Sequence, residues 1–384
     1  LQQITEPMVA GAALTASAEI TFGTWGRLGT DVLKVTSTSG SDDVSLTTVG
    51  TPWWGGGTTG TQRLYVHLKN DEDTIGGEIY LDAGCAATNA QGYVRFLNKD
   101  LTLRVGGFEI DDLRGWIGDW GNVDAGQVAG ESDIMDRFGL WGKAGLGLFY
   151  RPSALDGKLF VGAAFDANGT TGLDFKNYLA SVQAGVGYDI GAALLKVVYL
   201  GSGAITDDDH NFGTIEVGAN INAIENNLIQ IGVKIPLVDN EGRYSYTEAS
   251  WTRTEFADIA AGLSGNADAI SYMAHLRGKF GQMGGTTDEA SKMWLYAGVS
   301  GGVKIAEVIG SWGVGFTAKY DISTQTWTAG ETEQNLGGSV FLEKPYSNGT
   351  FDIGLRDVVT ITSVSSTNTT KNVLAVPVSV TMFF

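Results

Sequence analysis

A closed antiparallel β-barrel that spans a membrane is the fold this sequence predicts. Three observations carry the prediction: apolar and polar side chains alternate with a period of two, the alternating runs are long, and glycine is abundant. Many of the runs cover 9–12 residues. Strands of soluble globular proteins average about five or six residues, whereas a tilted strand that crosses a bilayer needs about 9–11. Fifty-five of the 384 residues are glycine, against a usual share of roughly 7 %, and glycine inside a helix costs about 1 kcal/mol relative to alanine.

Composition narrows the class further. Six prolines, 10 % aromatics and 18 % charged residues describe a chain that can bury apolar surface rather than a disordered one. We read residues 1–384 as a single domain. The net charge of −18 and the lack of any lysine-arginine run exclude nucleic acid as the main partner. Cys85 is the only cysteine, so neither a disulfide framework nor a Cys-rich zinc site is available, and His67, His210 and His275 lie far apart. No metal, cofactor or catalytic residue is expected. No run of about 18 apolar residues occurs, which excludes a transmembrane helix. The apolar run from Met8 to Ala18 is short, lacks a basic leader and follows Leu1; the expectation is that a secretory leader has been removed.

The alternation defines the elements in order. In 62–70, Leu64, Val66 and Leu68 share one face while Arg63, Tyr65, His67 and Lys69 share the other. In 100–108 the faces are Leu101, Leu103 and Val105 against Thr102, Arg104 and Gly106. In 227–237, Ile229, Ile231, Val233 and Ile235 oppose Gln230, Gly232 and Lys234. In 309–321, Trp312, Val314, Phe316, Ala318 and Tyr320 oppose Gly313, Gly315, Thr317 and Lys319. The same rhythm marks about eighteen strands, the others at 16–25, 76–84, 91–97, 142–151, 157–166, 177–189, 192–201, 213–222, 242–254, 269–280, 292–305, 336–344, 349–360 and 373–384.

Connections alternate in length. Short ones are Asn98-Lys99-Asp100, the neighbourhood of Gly191 and Asp239-Asn240-Glu241-Gly242. Long polar ones are 26–61, 109–141, 202–212, 281–291, 322–335 and 361–372. Long extracellular loops and short periplasmic turns are the pattern of outer-membrane barrels, and an even strand number returns both ends to one side. The 255–268 connection is long for a turn, and Val32–Val49 has room for a hairpin, so sixteen or twenty strands also fit.

Backbone groups in hydrocarbon must all be paired, and closing the sheet removes its open edges. The charged minority face fixes which side is wet. Arg63, Lys69, Arg95, Arg104, Lys143, Arg151, Lys196, Lys234, Arg277, Lys279, Lys304 and Lys319 all fall on it. Such a set costs several kcal/mol each in a dry core, so this face is expected to line water as a basic wall.

The final segment sets Leu374, Val376, Val378, Val380, Met382 and Phe384 on one face and Ala375, Pro377, Ser379, Thr381 and Phe383 on the other. It resembles the terminal strand of bacterial outer-membrane barrels, which ends in phenylalanine. Ala16-Ser17-Ala18-Glu19-Ile20-Thr21-Phe22-Gly23 and Leu101-Thr102-Leu103-Arg104-Val105-Gly106-Gly107-Phe108 resemble porin strands. Pro377 departs from an uninterrupted strand; it lacks a ladder donor, so a local irregularity is expected there.

The porin resemblance implies a trimer in the outer membrane and a third long loop that folds into the barrel. Here that loop is 109–141, where Glu109, Asp111, Asp112, Asp119, Asp124, Glu131, Asp133 and Asp136 outnumber Arg114 and Arg137. The expected constriction places Glu109, Asp111, Asp112, Asp119 and Asp124 against a pore wall of Arg63, His67, Lys69, Arg95 and Arg104, an arrangement that tunes ion selectivity. A solvated acidic loop outside the barrel is the bland alternative. Trp294 and Tyr296 fall on the lumen face and, with Trp53, Trp54, Trp116, Trp120 and Trp141, suit either a sugar track or the aromatic girdles at the lipid interfaces. Asp207, Asp209 and Asn211 have oxygen-ligand spacing, but Phe212 and Gly218 stand where a calcium loop needs glycine and a carboxylate. The leading expectation is passive diffusion of ions and small hydrophilic solutes, with membrane lipids and further copies of the chain as partners. The alternatives are a surface adhesin or structural envelope barrel, and a soluble secreted glycan-binding β protein.

Overall fold

The computed structural model describes residues 18–40, 44–48, 61–82, 87–108, 114–115, 138–139, 143–166, 182–201, 211–238, 246–248, 251–285, 292–324 and 331–383. They form β1 (Ala18–Thr38), β2 (Val44–Thr48), β3 (Thr61–Asn70), β4 (Ile75–Asp82), β5 (Ala87–Phe96), β6 (Leu101–Phe108), β7 (Arg114–Gly115) and β8 (Phe138–Gly139). Next come β9 (Lys143–Tyr150), β10 (Leu159–Asp166), β11 (Val182–Asp189), β12 (Ala193–Leu200), β13 (Asn211–Ile221), β14 (Asn227–Val238) and β15 (Tyr246–Glu248). The last are β16 (Trp251–Ala267), β17 (Ile270–Gly285), β18 (Lys292–Ile309), β19 (Trp312–Thr324), β20 (Thr332–Tyr346), β21 (Gly349–Val364) and β22 (Thr367–Phe383). No described helix is long and apolar enough to cross a membrane.

Twenty of these strands share one sheet, and its pairing closes on itself. Each ring strand is antiparallel to the next, from β3 through β6, β9 through β14, then β16 through β22. β1 closes the ring with its two edges used over different halves: Ala18–Arg27 pair with β3, and Trp25–Thr38 pair with β22. β2 and β15 are hairpin extensions on β1 and β16. Set aside, they leave the eighteen ring strands that the alternation predicts. The hairpin suspected in Val32–Val49 exists, as an extension and not as two further ring strands.

Two expected boundaries are corrected. The strand placed at 242–254 lies instead at Trp251–Ala267, so the awkward 255–268 connection is strand and the true turn is Asp268-Ala269. Ile259 and Leu263 continue an alternation that Ala260, Ala261 and Gly262 blur, because small side chains carry little face contrast. The long loop expected at 361–372 is likewise strand, turning at Ser365-Ser366, both with positive φ. Its Thr, Ser and Asn residues are polar on both faces, so no alternation shows. Asp239–Gly242, expected as a short connection, falls outside the described residues.

The two faces of the ring are inverted relative to a soluble barrel. Outward positions such as Leu148, Val186, Val217, Ile231, Leu276, Leu295, Phe316, Leu336 and Leu355 are exposed. Inward positions such as Lys196, Glu216, Gln230, Asp258, Arg277, Ser300, Thr317, Lys319 and Asp352 are buried. An exposed band of this size marks contact with lipid or protein.

Pro377 behaves as its missing N–H requires. The β1–β22 register shifts between Asp31 and Leu33, where Asp31 faces Pro377. On the other edge, the β21–β22 pairing jumps from Ile353–Val378 to Arg356–Ala375. An ion pair bridges the gap: the Arg356 guanidinium donates to both Asp31 carboxylate oxygens at 3.0 and 2.9 Å. Close approach also explains two inward glycines. Phe341 lies across Gly315 and Gly354, and a Cβ on Gly315 would overlap its ring.

Candidate functional site

The inner face of the ring divides into two unlike walls. From β3 to β6, every inward residue whose side chain is described is at least partly exposed: His67, Lys69, Glu78, Gln91, Tyr93, Arg95, Thr102 and Arg104. From β16 to β20 the inward residues are mostly buried, among them Asp258, His275, Arg277, Trp294, Tyr296, Ser300, Thr317, Lys319, Asp321 and Phe341. Two cross-strand contacts make the contrast sharp. The side chains of His67 and Glu78, 2.7 Å apart, are 45 % and 17 % exposed; those of Arg277 and Asp258, 2.5 Å apart, are 2 % and 2 %.

Register builds the exposed wall. His67 stands opposite Glu78, Glu78 opposite Gln91, and Gln91 opposite Gly106. One row nearer the short turns, Gly76, Tyr93 and Arg104 are neighbours across β4, β5 and β6. The Arg104 guanidinium lies 5.2 Å from the Phe149 ring centre, and Phe149 stacks on Phe160 at 6.1 Å. The turn after β3 adds Asp73, which lies outside the strands. Its carboxylate accepts from the Tyr93 hydroxyl at 2.5 Å and pairs with the Arg95 guanidinium. Burial raises the Asp73 pKa and is the largest single influence, but the Tyr93 hydrogen bond and the charges of Arg95 and Lys99 outweigh it, leaving the carboxyl below its ordinary 3.8.

The inward face as a whole is not the basic wall expected. Lys234 lies 3.5 Å from Glu216, Lys304 2.9 Å from Glu343, Lys319 3.8 Å from Asp321 and Arg356 2.9 Å from Asp31. Arg277 donates from Nε to Asp258 at 2.8 Å. The bases were visible in the alternation; apart from Asp321, two residues from Lys319 on the same strand, their acids were not, because cross-strand register decides which side chains meet. Asp258 lies in 255–268, where a connection is expected, and Asp73 in a turn. Trp294 and Tyr296 do lie on the inward face, but Trp294 is 1 % exposed. Its indole donates to Ser323 at 3.3 Å, and the Lys279 ammonium sits 5.3 Å from the Tyr296 ring centre. Neither residue is a lipid-interface anchor or an open track for sugars.

Among the expected site residues, His67, Lys69, Arg95 and Arg104 share the exposed wall. Arg63 is opposite Trp25 and Asp82 by backbone register; its side chain is outside the described set. Glu109, Asp111, Asp112, Asp119 and Asp124 also lie outside the described residues, as do Trp53, Trp54, Trp116, Trp120 and Trp141. Two short pieces of the 109–141 connection are described: Arg114 pairs with Gly139 and Gly115 with Phe138. Both pieces have Cα atoms within 8 Å of β13, which is separated from β6 by β9, β10, β11 and β12. Among the described residues no group of three or more His, Cys, Asp or Glu is placed to hold a metal.

No family model matches the chain, and no curated protein matches it. Solved structures align with nearly all of it. One is OmpT, an outer membrane protein of Vibrio cholerae, with 10 % identity, 98 % of this chain and 100 % of that one covered, and a TM-score of 0.48. Another is OprD of Pseudomonas aeruginosa, with 11 % identity, 94 % and 95 % covered, and a TM-score of 0.47. A third is an anion-selective porin from Comamonas acidovorans, with 10 % identity, 96 % and 100 % covered, and a TM-score of 0.44.

Proposed function

We propose that the chain is a passive channel of a bacterial outer membrane, through which ions and small hydrophilic solutes diffuse down their gradients. The observation that carries this reading is the exposed, charged inner wall of β3 to β6 inside a closed barrel with an apolar exterior. Water and solutes move along that wall, past His67, Lys69, Arg95 and Arg104, with Arg63 on the same face. No bond chemistry and no cofactor enter. The exposed apolar exterior is the reverse of what a soluble glycan-binding protein needs. Purified barrel added to a planar bilayer should give stepwise ion current; silence under conditions where it inserts would overturn the reading.

The 109–141 connection is proposed as the constriction, with Glu109, Asp111, Asp112, Asp119 and Asp124 facing the exposed wall. The approach of Arg114–Gly115 and Phe138–Gly139 to β13 supports a course across the ring rather than away from it. Exchanging Asp111 and Asp112 for asparagine should move the reversal potential in a salt gradient toward anion preference. An unmoved potential would remove them from the path.

A homo-oligomer, a trimer by resemblance, completes the proposal. Asp357 supports it. It is exposed on the outer wall of β21, between Leu355 and Val359 and beside Gly338 and Leu374. A carboxylate costs free energy against hydrocarbon and less against a protein neighbour that can donate to it. Asp357→Leu should shift the oligomer toward monomer on native gels; an unchanged trimer with a more stable monomer would place this wall in lipid.

The densely buried inner face of β16 to β20 favours a second reading, a structural or adhesive barrel whose lumen is closed. Surface binding retained by a chain that never conducts would select it.

A further inference from the structure

At the short-turn end of the exposed wall, three side chains interlock. The turn beneath them is fixed: the Asn70 carboxamide oxygen accepts from the Thr74 and Ile75 amides at 2.8 and 3.1 Å, and its nitrogen donates to the Thr74 hydroxyl at 2.8 Å. Asp73 sits at the apex with φ of 51°. Its carboxylate accepts from the Tyr93 hydroxyl at 2.5 Å and from the Arg95 guanidinium. The Arg95 amide donates to the Thr74 carbonyl at 2.7 Å, and the guanidinium carbon lies 4.8 Å from the Tyr93 ring centre. Gly76 makes the geometry reachable. It stands opposite Tyr93, and any Cβ there would overlap both the phenol and the Leu68 carbonyl oxygen. The ring therefore lies against β4 at Gly76, with the guanidinium over the ring.

We propose that Asp73, Tyr93 and Arg95 form a clamp that sets the bore and the charge of the solute path at this end of the barrel. Asp73 is the positioning residue: it holds the Arg95 guanidinium against the wall. This rests on the channel reading above and extends it to residues that reading did not use. Without the carboxylate, the long Arg95 side chain is free to project into the water it now borders, where a charged group narrows and biases a passage. Held by Asp73, the same charge is neutralised and out of the way.

The test is single-channel recording of the full chain in planar bilayers. Asp73→Asn should lower conductance about two-fold and move the reversal potential toward anion preference. Asp73→Glu should restore both. Asp73→Asn combined with Arg95→Ala should return conductance to the wild-type level or above, because the obstructing group is gone. Tyr93→Phe, which removes only the hydroxyl, should give a smaller change of the same sign and serves if Asp73→Asn does not fold. Wild-type values in both Asp73→Asn and Tyr93→Phe overturn the clamp, and so does a double variant as poorly conducting as Asp73→Asn. A silent wild-type chain overturns the channel reading and the clamp with it; a conducting wild type with indifferent variants overturns the clamp alone.

Discussion

Removing Asp258 should destabilise the barrel far more than removing Glu78, although each takes one acid from an inward cross-strand contact. Asp258 and Arg277 are each 2 % exposed at the side chain and are joined by hydrogen bonds of 2.8 and 2.5 Å. Asp258→Ala takes the opposing carboxylate from a guanidinium whose side chain is 2 % exposed, a loss of about 3–5 kcal/mol. Glu78 pairs with a histidine that is 45 % exposed, and an exposed pair contributes about 0–1 kcal/mol. Replacing both partners of the buried pair, with Asp258→Leu and Arg277→Met, should restore most of the loss, because neither buried charge then remains. The assay is urea unfolding of the chain in lipid vesicles, followed by the fluorescence of its ten tryptophans, with the shift in midpoint converted through a common slope. If Asp258→Ala costs under about 1 kcal/mol, Arg277 is hydrated, and the division of the inner face into wet and dry walls fails.

Other outcomes follow from single contacts. Phe341→Ala should cost about 3–5 kcal/mol, as for other buried phenylalanines, and Gly315→Ala should also destabilise because the new methyl meets the Phe341 ring; unchanged urea midpoints would show a loosely packed inner face. Asp73 has a pKa depressed below 3.8 in the folded chain, so its contribution is present above the ordinary carboxylate value and is lost as pH falls through the depressed one. Wild type should therefore lose its stability advantage over Asp73→Asn below about pH 4, and a constant difference down to pH 2 would contradict the sign. Arg356→Ala should weaken the closing seam by leaving Asp31 buried without its guanidinium. Hydrogen exchange of β22 amides checks it: protection there should fall more than in β10.

The number of ring strands and their inside-outside order were legible because the period of two is a local property. Leu64 to Lys69 or Trp312 to Tyr320 declares two faces without reference to any other segment. The boundaries failed where that contrast fades. In Ala260-Ala261-Gly262 both faces are small, and in Asn368-Thr369-Thr370 both are polar, so β16 and the tip of β21–β22 looked like loops. The candidate site was half legible for a different reason. Arg95 and Arg104 stood out as charges on the minority face, but Asp73 acts on Arg95 across a turn, and Glu78 meets His67 only through the β3–β4 register. Pairing across strands is a non-local fact. Pro377 is the instructive exception: a missing N–H disturbs whichever neighbour it faces, so the irregularity could be foreseen before the partner was known.

The uneven use of β1 has a geometric consequence. Its early half meets β3 and its later half meets β22, and only Trp25–Arg27 are paired with both of these strands. A path that steps from strand to strand at right angles to the chain therefore does not return to its starting residue but arrives further along β1. That offset is the shear of the cylinder, and for a fixed strand number it determines the slant of every strand and the radius of the tube. The stagger of this one strand thus dictates how wide the whole assembly stands, and lengthening or shortening it would reset the diameter for all its neighbours at once.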